Sequence, residues 1–406
     1  MRHYGWAAFA CAMLAPGFIT AARADGPPIT IGVPTSVQLE VGRDSIDATQ
    51  LAIDEINAKG GVLGRQLRMI VADETENPQE GVAAINKLTA DEHVDVLIGG
   101  YTSGVTLAQE THIADSKTIY LEVGAASPSI TDFVRRNYKR YQYIFRVSPI
   151  NAAHQAEALI DFGLGKLKGE AGVEKIAIAG ENAKWVQDLA PILKAGLEKG
   201  GMTVTSVDLF DADTSDFSPL FTKIKASGAQ YIMVVLSHAN SDVFVKQWYD
   251  AKLPIPIGGI DVKSQDSDFF TRIGGKAVSE TVANNIIPVP MTPLTMPFWN
   301  NFVARFKRPP VYTGAGSYDA VYIYAEAVAR AGTTAPDKVI PALEKTHYVG
   351  TEGLCEFDAQ HDIKYGPGFI SLAFAQWYPD GSRVIVWPKE IAKGAMNPPP
   401  WLAGKP

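Results

Sequence analysis

Cysteine is scarce in this sequence. Only Cys11 and Cys355 occur among 406 residues. Cys11 lies in an N-terminal segment that we expect to be removed, so Cys355 would have no partner in its own chain and a disulfide framework is excluded. Cys355 can then be a buried, inert side chain or a reactive thiol. We favour the buried side chain, because free cysteine is among the most buried residue types.

Long apolar segments are also missing once the N-terminus is left aside, since no later run approaches the roughly 20 residues that span a membrane. The N-terminus carries Arg2, an apolar run over residues 6–19 and the sequence Ala22-Arg23-Ala24. This pattern is typical of a cleavable signal peptide over residues 1–24. A retained anchor is the alternative, but the run is short and a Pro-Gly pair interrupts it. We therefore expect export to the periplasm as a soluble mature chain.

Basic residues are fewer than acidic ones, with 37 lysines and arginines against 44 aspartates and glutamates. Charged residues make up 20% of the chain, beside 46% hydrophobic residues, which is ordinary for a globular protein. The formal net charge is −7, and it becomes −9 when the predicted signal peptide leaves with its two arginines and no acid. An acidic surface argues against a nucleic-acid partner. The length of 406 residues predicts two domains.

Common catalytic signatures are absent from the sequence. The segment Gly100-Tyr101-Thr102-Ser103-Gly104 has the outline of a nucleophile elbow, but its third residue is threonine. A dinucleotide fingerprint, a phosphate loop and a His-Glu-x-x-His motif are missing. Only Asp358, His361 and Asp362 lie close enough together to suggest a metal, and their turn-rich surroundings favour a solvated turn instead. We expect no enzymatic activity, no cofactor and no metal.

Strand-like apolar runs alternate with helical patterns from Ile29 onward. This order predicts parallel sheets with helices on both faces. The series runs to about residue 123 and begins again at about residue 175, so the sequence predicts two similar α/β lobes. Beyond about Asn284 long helices follow, which could return the chain to the first lobe. The predicted parts are residues 25–148 plus 285–368 for the first lobe, 149–284 plus 369–395 for the second, and a tail over 396–406.

Two loops of the first lobe open toward the carboxyl edge of its sheet, where open α/β sheets bind ligands. In the loop over residues 99–105, two hydroxyl groups can cap a helix, and the amides of a helix start can accept a carboxylate. In the loop over residues 124–128, small side chains let a ligand approach the backbone. Each loop taken alone is equally well explained as a cap or a turn. The candidate contacts are Thr102, Ser103, Ala125, Ala126 and Ser127.

The second lobe offers a matching set of side chains. Trp185, His238 and Asp261 each follow a predicted strand and would face the first-lobe loops across a cleft. Trp185 can stack on an apolar or cationic group, and Asp261 can pair with an ammonium. The structural alternatives are that Trp185 covers the core and that Asp261 caps the next segment.

Four segments form a recognisable combination, namely Ala52–Arg65 with its Asn57 and Gly60-Gly61, Val96–Gly100, Gly124–Pro128 and Tyr143–Arg146. Through them the chain resembles the periplasmic branched-chain amino-acid-binding protein family of ABC transporters, which includes amide, urea and aromatic-acid binders. The resemblance covers nearly the whole mature chain. It implies a type I periplasmic binding protein fold, in which two doubly wound α/β lobes are joined by a three-crossover hinge.

The same resemblance implies roles for individual residues. Ser103 and the backbone at Ala125 would bind a carboxylate, Trp185 would form an aromatic wall, and Asp261 would be the acid that meets an ammonium. The chain departs from the amino-acid binders where Gly-Ala-Thr is replaced by Gly-Ala-Ala ending at Ala126. A hydroxyl that commonly contacts the ammonium is thereby lost.

The implied function is that of a monomeric, periplasmic substrate-binding protein. It would capture a small amino acid or a related carboxylate or amide and pass it to an inner-membrane ABC permease with its ATPase subunits. The alternative is a sensing module that binds an aromatic acid or amide and signals to a partner receptor. The absence of a tethering helix from the sequence favours transport. The ligand stays open among aliphatic amino acids, amides, urea and aromatic acids.

Overall fold

The structure, a computed structural model, describes residues 26–403. The predicted signal peptide lies outside these residues. Within them, no helix combines the length and the apolar character that a membrane span requires.

The first lobe is built on five parallel strands in the order β2-β1-β3-β4-β5. Both faces of this sheet are covered: Ile31 and Ile98 face one apolar core, whereas Leu97 and Tyr120 face another. Burial on both faces explains why these strands are continuous apolar runs. The elements are β1 (Ile29–Thr35), α1 (Glu40–Ala58), β2 (Leu67–Asp73), α2 (Pro78–Asn86), β3 (Val96–Gly99), α3 (Ser103–Ser116), β4 (Ile119–Glu122), α4 (Ser129–Arg136), α5 (Tyr138–Tyr141) and β5 (Ile144–Arg146).

The second lobe repeats this arrangement. Its sheet has five parallel strands in the same order as those of the first lobe, with two antiparallel strands, residues 373–377 and 383–387, added at one edge. The elements are α6 (Ala152–Asp161), β6 (Lys175–Glu181), α7 (Lys184–Lys199), β7 (Thr203–Phe210), α8 (Ser218–Ala226), β8 (Tyr231–Leu236), α9 (Ser241–Asp250), β9 (Ile257–Asp261), α10 (Phe269–Arg272) and β10 (Thr281–Asn284). The helices α2 and α6 continue as π-helical segments over Lys87–Asp91 and Phe162–Glu170.

The chain passes between the lobes three times, after β5, after β10 and before β13. The returning helices pack on the first lobe, where α12 lies against α1. The last elements are α11 (Thr295–Phe306), α12 (Tyr312–Ala331), α13 (Pro336–Leu343), β11 (Tyr348–Val349), β12 (Leu354–Cys355), β13 (Ala373–Trp377) and β14 (Arg383–Trp387). The predicted fold class, two doubly wound lobes joined by three crossovers, is confirmed.

The sequence predicts a helix over residues 318–331, and the structure begins this helix, α12, six residues earlier at Tyr312. Gly314 and Gly316 make this stretch resemble a loop. Both glycines instead allow close packing: a Cβ atom at Gly314 would collide with the carboxylate of Asp44, and one at Gly316 would lie 3.0 Å from Cβ of Ser148. The longer helix carries Tyr312 to the space between the lobes.

The predicted tail is attached to the second lobe over its described part. Ser279 Oγ donates a hydrogen bond to the carbonyl oxygen of Pro398 at 3.0 Å, and Trp401 Nε1 donates to that of Leu253 at 2.8 Å. Trp401 also packs edge-to-face on the buried Trp248. These contacts explain why the irregular C-terminal segment stays on the surface of the sheet.

Three buried carboxyl groups lie in the first lobe, between α3 and the sheet. Glu74, Glu110 and Glu122 are all buried, and neither carboxyl oxygen of Glu110 has a hydrogen-bond partner in residues 26–403. Burial raises the pKa of Glu110 to about 9, although the charge of Arg146 opposes this shift. Burial also raises the pKa values of Glu74 and Glu122 to about 7. Glu110 therefore holds its proton in the folded state at neutral pH.

We expect Glu110→Gln to make the melting temperature less sensitive to pH. Between pH 4.5, its ordinary pKa, and about 9, folded Glu110 keeps a proton that the unfolded chain has lost. The wild-type protein therefore loses stability as the pH rises through this range. Glutamine cannot titrate, so the variant should lose less in a calorimetric melting series from about pH 5 to 9. The exposed Glu92→Gln is the control, and parallel curves for wild type and Glu110→Gln would contradict the assignment.

Candidate functional site

A cavity lies between the lobes at the carboxyl ends of both sets of parallel strands. It contains about 490 Å³ of space outside protein atoms, part of it open to solvent. This is the edge at which open α/β sheets place their ligands, next to the point where the strand order reverses. Its apolar wall includes Ile150, Trp185, Ile260, Val262 and Leu372. Its polar lining includes Tyr101, Ser103, Gln155, Ser237, His238 and Asn285.

The first wall of the cavity is the start of α3. The chain reaches it through Gly100, whose φ of 92° suits glycine and whose missing Cβ leaves room for the hydroxyl of Tyr120. Thr102 occupies the N-cap position, but its side chain does not cap the helix. The backbone amides of Ser103 and Gly104 have no acceptor in residues 26–403. Such free amides at a helix start can receive an anionic group.

The other loop of the first lobe, residues 124–128, follows β4 and is held by the side chain of Glu122. This carboxylate accepts hydrogen bonds from the amides of Gly124, at 2.6 Å, and of Ala125. The amide of Ala126 has no acceptor within the described chain, and Ala126 lines the cavity. Ser127 is tied on both sides, because its amide donates to Ser103 Oγ at 3.0 Å and its hydroxyl donates to Asp188 at 2.6 Å.

Arg146 fixes the same loop through its carbonyl groups. Its Nη2 atom donates to the carbonyl oxygens of Ser127, at 2.6 Å, and Ala125, at 3.3 Å, while Nε donates to Glu122 at 3.2 Å. Its Nη1 atom donates to Asp362 at 2.8 Å. Arg146 is fully buried, so each of these charge-assisted bonds helps to compensate the loss of water around it.

Glu181 plays the corresponding part in the second lobe. At the end of β6, its buried carboxylate accepts hydrogen bonds from the amides of three consecutive residues, 237–239, at 2.7–2.9 Å. It also accepts from Trp185 Nε1 at 2.8 Å and from His238 Nδ1 at 2.7 Å. The five bonds join the ends of β6 and β8 and fix the positions of both Trp185 and His238.

The charges of Glu181 and His238 support each other. Burial would raise the pKa of Glu181, but His238, the amide of Ser237 and Trp185 outweigh it and hold that pKa below its ordinary value. Burial would lower the pKa of His238, but Glu181 and then Glu76 raise it above 6.5. The Nε2 atom of His238 lies 3.4 Å from Glu76 of the first lobe. A protonated His238 therefore bridges acids of both lobes.

Direct contacts close the lobes around the cavity. The hydroxyl groups of Tyr101 and Ser237 are 2.8 Å apart, and Thr102 Oγ1 lies 3.3 Å from Nε2 of His238. The bond from Ser127 to Asp188 of α7 is a third link between the lobes. All of these partners lie at the carboxyl edges of the two sheets, so the structure has the geometry of a closed cleft.

The eight predicted contact residues divide into two groups. Ser103, Ala126, Trp185 and His238 line the cavity. The other four do not: Thr102 faces His238, the amide of Ala125 is used by Glu122, and the hydroxyl of Ser127 is used by Asp188. The fourth is Asp261, which the sequence predicts to contact a ligand but which does not line the cavity.

Asp261 is the last residue of β9, not part of the loop after it. Its neighbours Ile260 and Val262 line the cavity, so alternation along the strand directs Asp261 to the other face. Its buried carboxylate accepts hydrogen bonds from the hydroxyl of Ser241 and the amide of Ser264. The structure therefore places Asp261 away from the cavity, and the expected pairing with a ligand ammonium does not occur in this arrangement.

Several residues of the site escaped the sequence patterns. The predicted strand before Trp185 ends at Ala179, and the pattern assigns no role to Glu181. An acid at the end of a buried strand followed by a tryptophan is nevertheless a usable signal. Gln155 lies on α6, and its buried Oε1 atom has no partner within residues 26–403. Asn285 lies in the irregular segment after β10 and Tyr312 is the first residue of α12, so neither belongs to a periodic pattern that marks the site.

The segment with Asp358, His361 and Asp362 also differs from the prediction. His361 and Asp362 are buried, so the expected solvated turn is wrong. Asp362 accepts hydrogen bonds from Thr131, Arg146 and Asn151 and joins three elements. In the described residues, no group of three or more His, Cys, Asp or Glu side chains is arranged to hold a metal. Cys355 is buried, as predicted, and burial raises the pKa of its thiol well above the usual value.

The profile of the periplasmic binding protein family matches residues 28–377. The Leu/Ile/Val-binding protein homolog 3 of Brucella melitensis is 26% identical over 322 residues, which cover 78% of this chain and 82% of that protein.

Solved structures show the same fold. A Silicibacter pomeroyi protein assigned to branched-chain amino acid ABC transport has a TM-score of 0.80 at 21% identity and covers 92% of this chain and 100% of its own. A solute-binding protein of an ABC transporter from Rhodopseudomonas palustris, in complex with 3,4-dihydroxybenzoic acid, has a TM-score of 0.76 at 19% identity, with 92% and 99% covered.

We expect Glu181→Gln to lower the pKa of His238, because the variant removes the negative charge that raises it most, whereas burial, which lowers it, remains. In the wild type, stability from charged His238 is present below pH 6.5 and is lost as the pH rises through the raised pKa. This pH-dependent part should shrink in the variant. The variant should also be destabilised by about 3 kcal/mol, since it breaks a buried ion pair.

The His238 pKa is measured from its imidazole proton resonances in a pH titration. Glu198→Gln, an exposed acid of α7, is the control and should leave that titration unchanged. A His238 pKa that stays the same in Glu181→Gln would contradict the pairing.

Proposed function

This chain belongs to the periplasmic binding protein family, and we propose that it captures a small amino acid or a related carboxylate or amide in the periplasm and delivers it to the permease of an ABC importer. One observation carries this proposal. The cavity lies between two lobes joined by three crossover segments, and both lobes supply its wall.

The chemistry of the cavity supports a ligand with one polar end and an apolar body. The free amides of Ser103 and Ala126, two residues that line the cavity, can donate to a carboxylate or an amide oxygen. The indole N–H of Trp185 is already donated to Glu181, so the apolar ring surface is what it offers to a ligand. A few polar groups in a mostly apolar pocket are the usual arrangement of small-molecule sites.

The relatives support the same range of ligands. The Brucella melitensis protein is named for leucine, isoleucine and valine, whereas the Rhodopseudomonas palustris protein holds 3,4-dihydroxybenzoic acid. All four of these molecules carry a carboxylate on a small hydrocarbon body, which in 3,4-dihydroxybenzoic acid also bears two hydroxyl groups. We take the carboxylate as the common element and assign it to the first-lobe amides.

Capture follows from the contacts between the lobes. In an open cleft the first-lobe amides are accessible to a carboxylate from solvent. Closure brings Trp185 and His238 over the ligand and forms the bonds from Tyr101 to Ser237 and from Ser127 to Asp188. The ligand favours the closed form because only that form contacts it from both sides. The permease would recognise the closed pair of lobes.

Ligand binding is tested by melting the purified mature protein against a panel of amino acids, small organic acids and amides, and by native mass spectrometry of any retained molecule. A ligand at 100 times its Kd should stabilise the fold by about 2.7 kcal/mol. Trp185→Ala should weaken that ligand about thirtyfold, as expected for a buried aromatic contact. Trp299→Ala, on α11 outside the cavity, is the matched control and should bind normally.

Delivery is tested by deleting the gene and measuring uptake of the ligand found in this way. Uptake should be lost and should return with the wild-type gene but not with Trp185→Ala. A panel in which no compound raises the melting temperature and no molecule is retained would contradict the proposal. Unchanged uptake with a lost cellular response would contradict delivery and favour sensing.

A further inference from the structure

Carboxylates are missing from the wall of the cavity within residues 26–403. None of the residues that line it is an aspartate or a glutamate. The nearby acids are Glu122 and Glu181, at the ends of β4 and β6, and Asp261 at the end of β9. A fourth acid, Glu76 of the first lobe, lies outside the lining at 3.4 Å from Nε2 of His238. Whether a ligand ammonium has a charged partner depends on what these four carboxylates already contact.

Each of the four carboxylates is engaged elsewhere, and Glu76 faces Nε2 of His238 at 3.4 Å. Glu181 accepts five hydrogen bonds from its own lobe. Glu122 accepts the amides of Gly124 and Ala125 and pairs with Arg146. Releasing any of these donors would leave buried polar groups without partners, which is costly.

Asp261 is blocked by geometry as well as by its partners. It is fully buried on the face of β9 opposite to Ile260 and Val262. There it contacts Ser241 and Ser264, and Ser264 Oγ also donates to Glu280 at 2.9 Å. To reach the cavity its side chain would have to cross the sheet. The acid that sequence position assigns to an ammonium is thus part of the core of the second lobe.

Hydrogen-bond donors, in contrast, are available to the ligand. The amides of Ser103, Gly104 and Ala126 lack acceptors in the described chain. The remaining acceptors that line the cavity are neutral oxygens, notably the unpartnered Oε1 of the buried Gln155. Neutral oxygens compensate a desolvated ammonium less well than a carboxylate does, because hydrogen bonds between opposite charges are stronger.

We propose that the ligand is a small organic acid with an apolar body and no ammonium group, and that the cavity selects against the corresponding amino acid. This inference rests on the proposed function and names its substrate class. The carboxylate binds the first-lobe amides, and the apolar body lies against Trp185, Ile260 and Leu372. An ammonium would be buried beside Gln155 and similar neutral groups without a charged partner.

The test compares ligands that differ only in the ammonium group. The pairs are 3-phenylpropanoate with phenylalanine and 4-methylpentanoate with leucine, each titrated calorimetrically into ligand-free wild-type protein. We expect the simple acid of at least one pair to bind at least about tenfold more tightly than its amino acid. Equal or tighter binding of either amino acid would overturn the inference, as would a retained ligand that carries an ammonium.

A variant that adds an acid to the cavity tests the inference in the opposite direction. Gln155→Glu places a carboxylate at the unpartnered position in the cavity with almost no change in size. It should weaken the simple acid and bind the amino acid of the same pair relatively more tightly, which shifts the affinity ratio by about tenfold or more. Gln79→Glu, exposed at the start of α2, is the control and should leave the ratio unchanged.

The outcomes separate the two claims. If amino acids bind and simple acids do not, the proposed function stands and this inference fails. If no compound of the wider panel binds and none is retained, the proposed function fails and this inference fails with it. An unchanged affinity ratio in a folded Gln155→Glu protein also overturns it. If that variant does not fold, the paired titrations on the wild type decide.

Discussion

The carboxylate of Glu181 determines the second-lobe half of the binding site. A fully buried negative charge is tolerated only when hydrogen bonds replace its water, and here five donors from residues 185 and 237–239 do so. The same bonds hold Trp185 and His238 in place before a ligand arrives. Trp185, His238 and the end of β8 are therefore preorganised by one charge.

Arg146 imposes a similar constraint on the first lobe and extends it to the hinge. It holds the loop over residues 124–127 by two carbonyl oxygens and pairs with both Glu122 and Asp362. Asp362 also accepts from Asn151, whose side chain caps α6 at the first crossover. Because α6 carries Gln155 into the cavity, a chain of hydrogen bonds leads from the ligand loop through the crossover to the opposite wall. Buried charges of opposite sign thus organise the two halves of the cleft.

The fold was predictable because its dominant signal is simple. Alternating apolar runs and helical patterns specify two α/β lobes, and the sheet-edge rule brought Ser103, Ala126, Trp185 and His238 into the predicted site. The failures come from details that depend on side-chain direction. The sequence predicts that the strand before Asp261 ends at Gly259, whereas β9 ends at Asp261 and directs this side chain away from the cleft. The amide of Ala125 is not free, because it donates to the side chain of Glu122. The place of Gln155 in the cavity depends on contacts between distant elements, which no local pattern records.

The central claim is that a carboxylate held by first-lobe amides is enclosed by the second lobe. A crystal structure of the exported protein with its retained ligand tests this most directly. The account predicts a carboxylate within about 3 Å of the amide nitrogens of Ser103 and Ala126, the normal range for such hydrogen bonds, with an apolar body against Trp185. A ligand bound outside the cavity, or one whose carboxylate contacts neither amide, would contradict it.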